Sequence, residues 1–136
     1  MRRNLKAFTL IEILIVVVIL GILAAIVIPQ FSKASEDAQS GNIQSQLRTI
    51  RNTIEIYRVR NNGTFPFTAT ALAWTPLIGP DYLRAAPVNP RTNSSVIAAG
   101  TDHTAGATTN GWIWNNTSRT LFASYYNEAT KTWTGP

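Results

Sequence analysis

The chain of 136 residues has no cysteine, one methionine and one histidine. Without a thiol there is no disulfide, no thiolate zinc site and no cysteine nucleophile. His103 stands alone beside Asp102 in a Thr/Ala/Gly stretch, so neither an imidazole metal cluster nor a catalytic histidine is expected. Charge is scarce as well, with Asp, Glu, Lys and Arg making up 14% of the chain. Of the twelve basic residues, Arg2, Arg3 and Lys6 fall within the first seven positions, and the other nine nearly balance seven acids. No dense basic patch with interleaved aromatics is left, which argues against nucleic-acid binding. No P-loop, dinucleotide glycine motif, HExxH or GxSxG occurs. An enzyme is not expected, and a domain outside the cytoplasm has to hold together by packing alone.

What the chain does have is KAFTLIEILIVVVILGILAAIVIP, Lys6 to Pro29. From Phe8 to Ile28 this run holds 21 residues and a single charge, Glu12. At about 1.5 Å per residue such a helix covers about 31 Å, enough to cross a bilayer's hydrocarbon core. An acid there costs about 2.5–3.5 kcal/mol near the centre and less toward the edge. Glu12 therefore needs a reason. The apolar stretch Ile13–Ile28 is longer than the apolar region of a secretory signal, and no small-x-small cleavage site follows it. A retained single-pass anchor is expected, with the Arg2, Arg3, Lys6 end cytoplasmic and everything after Pro29 exported.

Past Pro29 the helical signal continues. Ile43, Leu47, Ile50, Ile54 and Tyr57 recur in steps of four and three, one stripe of an amphipathic helix. Arg48, Arg51, Glu55 and Arg58 are expected on the opposite face. Asn61-Asn62-Gly63 is a C-terminal stop, and Pro66 prevents resumption. One helix is read from Thr9 to Asn61, about 80 Å long. Pro29 removes a backbone hydrogen bond and should kink or loosen it, and Gly21 is a further weak point. The rest is rich in Thr, Asn, Ala, Gly and Pro and holds all four tryptophans. TALAWTPLIG reads as a helical turn or loop, YLRAAPVNPRTNSS as an irregular loop, and Thr101–Gly111 as a flexible one. GWIWN (111–115) and RTLFASYY (119–126) form a β-hairpin, and KTWT is a candidate third strand. Trp112 and Trp114 share one face; Leu121, Ala123 and Tyr125 alternate on the second strand. Helix-on-sheet packing is required, because about 70 residues make a thin domain by themselves. The fold class is α+β: a long N-terminal helix, apolar over 8–29 and amphipathic over 30–62, packed on a small antiparallel sheet within 63–136.

RNLKAFTLIEILIVVVILGILAAIVIPQFSKASEDA closely resembles the N-terminus of type IV pilins and of type II secretion pseudopilins. The shared pattern is a short basic leader, a small residue, then Phe-Thr-Leu-Ile-Glu and about twenty apolar residues ending near a proline. The resemblance implies a pilin-like fold and a leader, residues 1–7, removed between Ala7 and Phe8 by a prepilin peptidase. It implies N-methylation of Phe8 and polymerisation into a helical homo-oligomeric filament. An inner-membrane platform, its ATPase and minor pseudopilins are the further partners implied. One departure is Ala7, where the family usually has Gly; slower cleavage is the expected consequence. RNTIEIYRVRNNGTFP and YLRAAPVNP before GWIWN look most like a major pseudopilin. Many such proteins hold calcium in the C-terminal domain with clustered carboxylates. Asp81, Asp102 and Glu128 are widely spaced here, so calcium is not favoured and no other cofactor is expected.

The chemistry of Glu12 agrees with that resemblance. Cleavage would create a positive α-amine on Phe8, one helical turn from Glu12, so an internal pair can form in the bilayer. In a filament the amine of one subunit could instead meet Glu12 of a neighbour, and only a register that pairs both ions is tolerated. Two alternatives stay open: a type IV pilus subunit serving adhesion, motility or DNA uptake, and an uncleaved anchored module binding a ligand on its Trp-rich face.

Overall fold

The computed structural model describes residues 8–104 and 109–135, which fall in two compact units, one ending at Asp37 and one beginning at Ala38. Helix α1 spans Leu10–Arg60, within a residue of the expected limits at each end. Ile and Val are mediocre helix formers in water. In hydrocarbon, however, a helix satisfies every backbone group within its own segment, so the same sequence favours it there. α1 continues through Gly21, Pro29 and Gly41. Pro29 has no N–H, which leaves the Ala25 carbonyl without its usual helical donor. Among the described residues a Cβ at Gly21 would meet nothing within 4 Å.

The helix ends as the Asn61-Asn62-Gly63 run predicts. Asn62 adopts φ +52° and Gly63 φ +86°. The Gly63 N–H donates to the Arg58 carbonyl at 2.8 Å, the six-to-one hydrogen bond of a Schellman cap. Pro76 sits inside a single 3₁₀ turn, Thr75–Leu77, where the sequence suggested a helical turn or loop.

In the second unit, strands β1 (Ile97–Ala99), β2 (Trp112–Asn115) and β3 (Thr120–Ala123) form one sheet in that order. β2 and β3 pair antiparallel, Trp112 opposite Ala123 and Asn115 opposite Thr120, which is the expected hairpin. β1 was not anticipated. It pairs parallel to β2, Ile97 opposite Trp112, so the sheet is mixed. Parallel neighbours need a crossover of about a dozen residues; the stretch 101–111, read from composition as a flexible loop, lies in that connection, and its residues 105–108 fall outside those described.

The far end of the hairpin differs from expectation. Arg119 lies in the turn with φ +56°, not in the strand, and β3 stops at Ala123. Tyr125 has φ +62°, which breaks the alternation, so Ser124 and Tyr126 are buried while Tyr125 is half-exposed. The chain then starts a second, two-stranded antiparallel sheet, β4 (Tyr126–Asn127) with β5 (Thr132–Trp133). KTWT is thus a strand, but of this separate ribbon rather than of the main sheet.

Asn89 organises the segment that looked irregular. It is fully buried, and its side-chain amide donates to the carbonyls of Gly111 and Ser124 at 2.8 and 3.2 Å. Its backbone N–H donates to Ser94 O at 2.9 Å. This closeness leaves no room at Gly111, where a Cβ would fall 1.9 Å from Ser94 O. Gly111→Ala should therefore lower stability by about 1–3 kcal/mol, read as an earlier tryptophan-fluorescence melt of the detergent-solubilised chain. Gly79→Ala, where a Cβ meets nothing within 4 Å, should melt like the parent. Equal melts for the two variants would contradict the packing described.

Candidate functional site

At the start of α1, Thr9 and Glu12 close on each other. The Thr9 N–H and the Thr9 hydroxyl both donate to Glu12 Oε2, each at 2.8 Å. The Glu12 N–H donates back to Thr9 Oγ1 at 3.3 Å. This is a reciprocal capping box, with Thr9 as N-cap and Glu12 three residues into the helix. The T-x-x-E spacing in FTLIE was a readable signal for it, and the sequence reading, intent on Glu12's charge, missed Thr9. Carboxylate placement in the first turn also complements the positive end of the helix dipole.

Around this acid the helix is apolar on every side. From Phe8 to Ile28 its large apolar side chains are 42–85% exposed, so turn after turn of this stretch presents apolar surface. By length and composition α1 is able to cross a membrane. Gly21 lies in this exposed stretch and Pro29, itself exposed, directly follows it, whereas Ala7, the residue before the expected cleavage point, falls outside the described residues.

The expected helix–sheet core forms. Ile43, Leu47, Ile50 and Ile54 are buried, Tyr57 packs half-buried beside them, and Trp112 and Trp114 lie inside with Phe67, Trp74 and Leu121. Trp114 meets Phe67 edge-on at 5.3 Å, Phe67 meets Trp74 at 5.4 Å, and Trp74 meets Trp112 at 6.0 Å. The Trp112 indole N–H donates to Pro87 O at 2.9 Å. Both strand tryptophans are thus core residues, which removes the exposed face that a ligand-binding module needed.

Two further ties were not foreseen. Arg51, assigned to the outer face, turns back over the edge of β3 and joins Glu128 and the Leu121 carbonyl. Tyr126 OH is shared by Ser40 Oγ at 2.9 Å and Gln44 Nε2, which donates at 2.6 Å. Both link positions about 80 residues apart, and local patterning carries no signal for such pairings. Arg58 does stay outside, paired with Glu55 at 2.7 Å. His103 takes part through its backbone carbonyl, which accepts from Tyr125 N–H at 2.8 Å.

An apolar, uncovered N-terminal helix capped by an acid, followed by a small helix-on-sheet domain, defines a membrane-anchored, pilin-like filament subunit. Residues 2–28 match the prokaryotic N-terminal methylation motif. The chain is 36% identical over 112 residues to the type II secretion system core protein G of Pseudomonas aeruginosa, covering 74% of this chain and 78% of that one. The Escherichia coli protein of the same name is 28% identical over 111 residues, covering 74% and 76%. The chain belongs to this core protein G family, the major pseudopilins. It is also 40% identical over 58 residues to the type IV narrow pilus major component PilA5 of Thermus thermophilus, covering 43% of this chain and 50% of that one. No solved structure matches it.

The capping box is testable in detergent micelles. Thr9→Ala should cost the helix start about 0.5–2 kcal/mol, seen as faster amide exchange at Leu10–Ile13, while Thr9→Ser keeps the parent's rates. Unchanged exchange in the alanine variant would rule out the cap.

Proposed function

We propose that this chain is the repeating subunit of a type II secretion pseudopilus. A prepilin peptidase removes residues 1–7 between Ala7 and Phe8 on the cytoplasmic face and methylates the new Phe8 amine. The subunit waits in the inner membrane with its C-terminal domain on the far side. An assembly platform and its ATPase then move it into the filament, where minor pseudopilins join it.

The observation that carries this reading is the uncovered apolar helix. Water cannot solvate it, so it needs lipid first and sister helices afterwards. Lipid tails are as apolar as those sister helices, so the transfer between them gains little hydrophobic free energy. That is why an external motor is required and why polar groups must set the register. Glu12 is the one charged side chain among residues 8–32, and a charge desolvated in the filament core demands an opposite charge. Cleavage supplies it as the Phe8 amine, and methylation keeps its charge. Absence of a side chain at Gly21 and of an N–H at Pro29 would let the helix loosen as subunits pack.

Intact-mass measurement of the membrane-extracted protein should show loss of Met1–Ala7 and gain of one methyl group. Retention of the leader would sink the filament reading. Glu12→Ala, expressed beside the assembly machinery, should reduce filaments at least about tenfold, the effect of about 1.4 kcal/mol lost per contact, while the monomer stays in the membrane. Normal filament levels would refute the register role. The match to PilA5 favours a second reading, a surface type IV pilus. Deleting the gene separates the two: a pseudopilus subunit is needed for protein export, a pilus subunit for surface fibres.

A further inference from the structure

The family resemblance brings with it a calcium ion in the C-terminal domain, and the residues of this chain do not fit one. All seven Asp and Glu residues lie among those described. The three in the C-terminal part are engaged in three different places. Asp81 pairs with Arg60 at 3.2 Å. Asp102 Oδ1 accepts from the Thr104 N–H and hydroxyl at 2.8 and 2.6 Å. Glu128 is held in a two-pronged pair by Arg51, Nη1 to Oε2 at 2.7 Å and Nη2 to Oε1 at 2.6 Å. Among the described residues no three His, Asp or Glu side chains gather at all, whereas calcium takes six to eight oxygens, with carboxylates prominent among them.

Arg51 does more than pair with Glu128. Its Nε and Nη2 both donate to the Leu121 carbonyl, at 3.0 and 2.6 Å, and its guanidinium lies 5.9 Å from the centre of the Phe122 ring. All three of its nitrogens are therefore used. The oxygens it collects, a carboxylate and a main-chain carbonyl, are of the kinds a calcium ion would take. β3 is an edge of the main sheet, and Glu128 sits in the turn between β4 and β5. One side chain of α1 thus fastens both sheets to the helix. Both partners are about one-third exposed, at 33% and 35%, so bare Coulomb attraction is screened. The planar fork and the shared carbonyl give the contact its geometry.

We propose that the Arg51 guanidinium is this subunit's built-in structural cation, fixing the β3 edge and the β4–β5 turn to α1 so that the C-terminal domain folds independently of calcium. The inference concerns the subunit alone and holds whichever filament it builds.

Thermal melts of the full-length protein in detergent, in millimolar calcium chloride and in excess EGTA, test it directly. The midpoints should coincide, and calorimetric titration with calcium chloride should give no saturable heat. Arg51→Ala should lower the midpoint by about 4 °C or more in both media. Arg51→Lys, which keeps the charge but loses the fork, should fall between it and the parent. Should the alanine variant fail to fold, Glu128→Gln, which keeps the Leu121 contact, should still melt early and show the same indifference to calcium. A midpoint raised several degrees by calcium in the parent would overturn the proposal, since saturating a native-state site must stabilise it. A lysine variant as stable as the parent would overturn it too.

Discussion

The constraint that shapes the first unit is a helix whose large apolar side chains stand exposed from Phe8 to Ile28. A water-soluble helix exposes a polar face and hides an apolar one. The stretch from Phe8 to Ile28 has no polar face to expose. Its only satisfactory surroundings are lipid and other helices of the same kind, and those two differ little in apolarity. Under the proposed processing and assembly, the selection between membrane and filament therefore falls to the few groups that do distinguish them: a carboxylate, the amine that cleavage would create, and the backbone carbonyl left open at Ala25 by Pro29. Magnitudes support this ordering. Exchanging one apolar neighbour for another changes little, whereas an unpaired charge in a dry core costs several kcal/mol.

The second unit solves a different problem, stability without cysteine. Its answer is aromatic mass held by long-range polar ties. Phe67, Trp74, Trp112 and Trp114 form a chain of edge-on contacts, and burial of each such ring contributes about 1.5–3 kcal/mol. Apolar packing has no direction, so separate polar contacts fix where the strands go. Asn89 holds the loop before β1 against Gly111 and Ser124, Tyr126 seats the small ribbon on Ser40 and Gln44, and Arg51 closes the β3 edge. Asn89, Tyr126 and Arg51 are each buried or half-buried and hydrogen-bonded, the condition under which a polar group in a core specifies structure instead of destabilising it.

What was legible in the sequence was what repeats locally. The period of Ile43, Leu47, Ile50 and Ile54 gave the buried stripe, Asn62-Gly63 gave the helix end, and alternation around Trp112 and Trp114 gave the hairpin. β1 was hidden because three residues, Ile97–Ala99, of which one is buried, make no pattern. The strand break at Tyr125 was hidden because a positive φ at tyrosine is set by tertiary packing, not by residue type. Arg51 looked like a solvent-facing base because helical spacing says which side a residue leaves from, not where a long side chain ends. At the candidate site the balance was similar. Glu12 stood out by its cost in the membrane, while Thr9, an ordinary residue by composition, supplied the contact that the structure displays.

That contact sharpens what Glu12 can do. A helix start in a bilayer has N–H groups with no water to satisfy them, and the Thr9–Glu12 box supplies acceptors there. If the carboxylate had to leave the cap in order to meet an amine, assembly would fray the helix at the point where register is set. It does not have to leave. Both hydrogen bonds from Thr9 land on Oε2, and an ionised carboxylate offers about four acceptor positions over its two oxygens. Under the proposed assembly Glu12 can therefore hold its own helix with one oxygen and receive a methylated amine with the other. The dependence also runs the other way: a carboxylate pinned by Thr9 is preorganised, so the incoming charge meets a fixed target and less side-chain entropy is lost on docking.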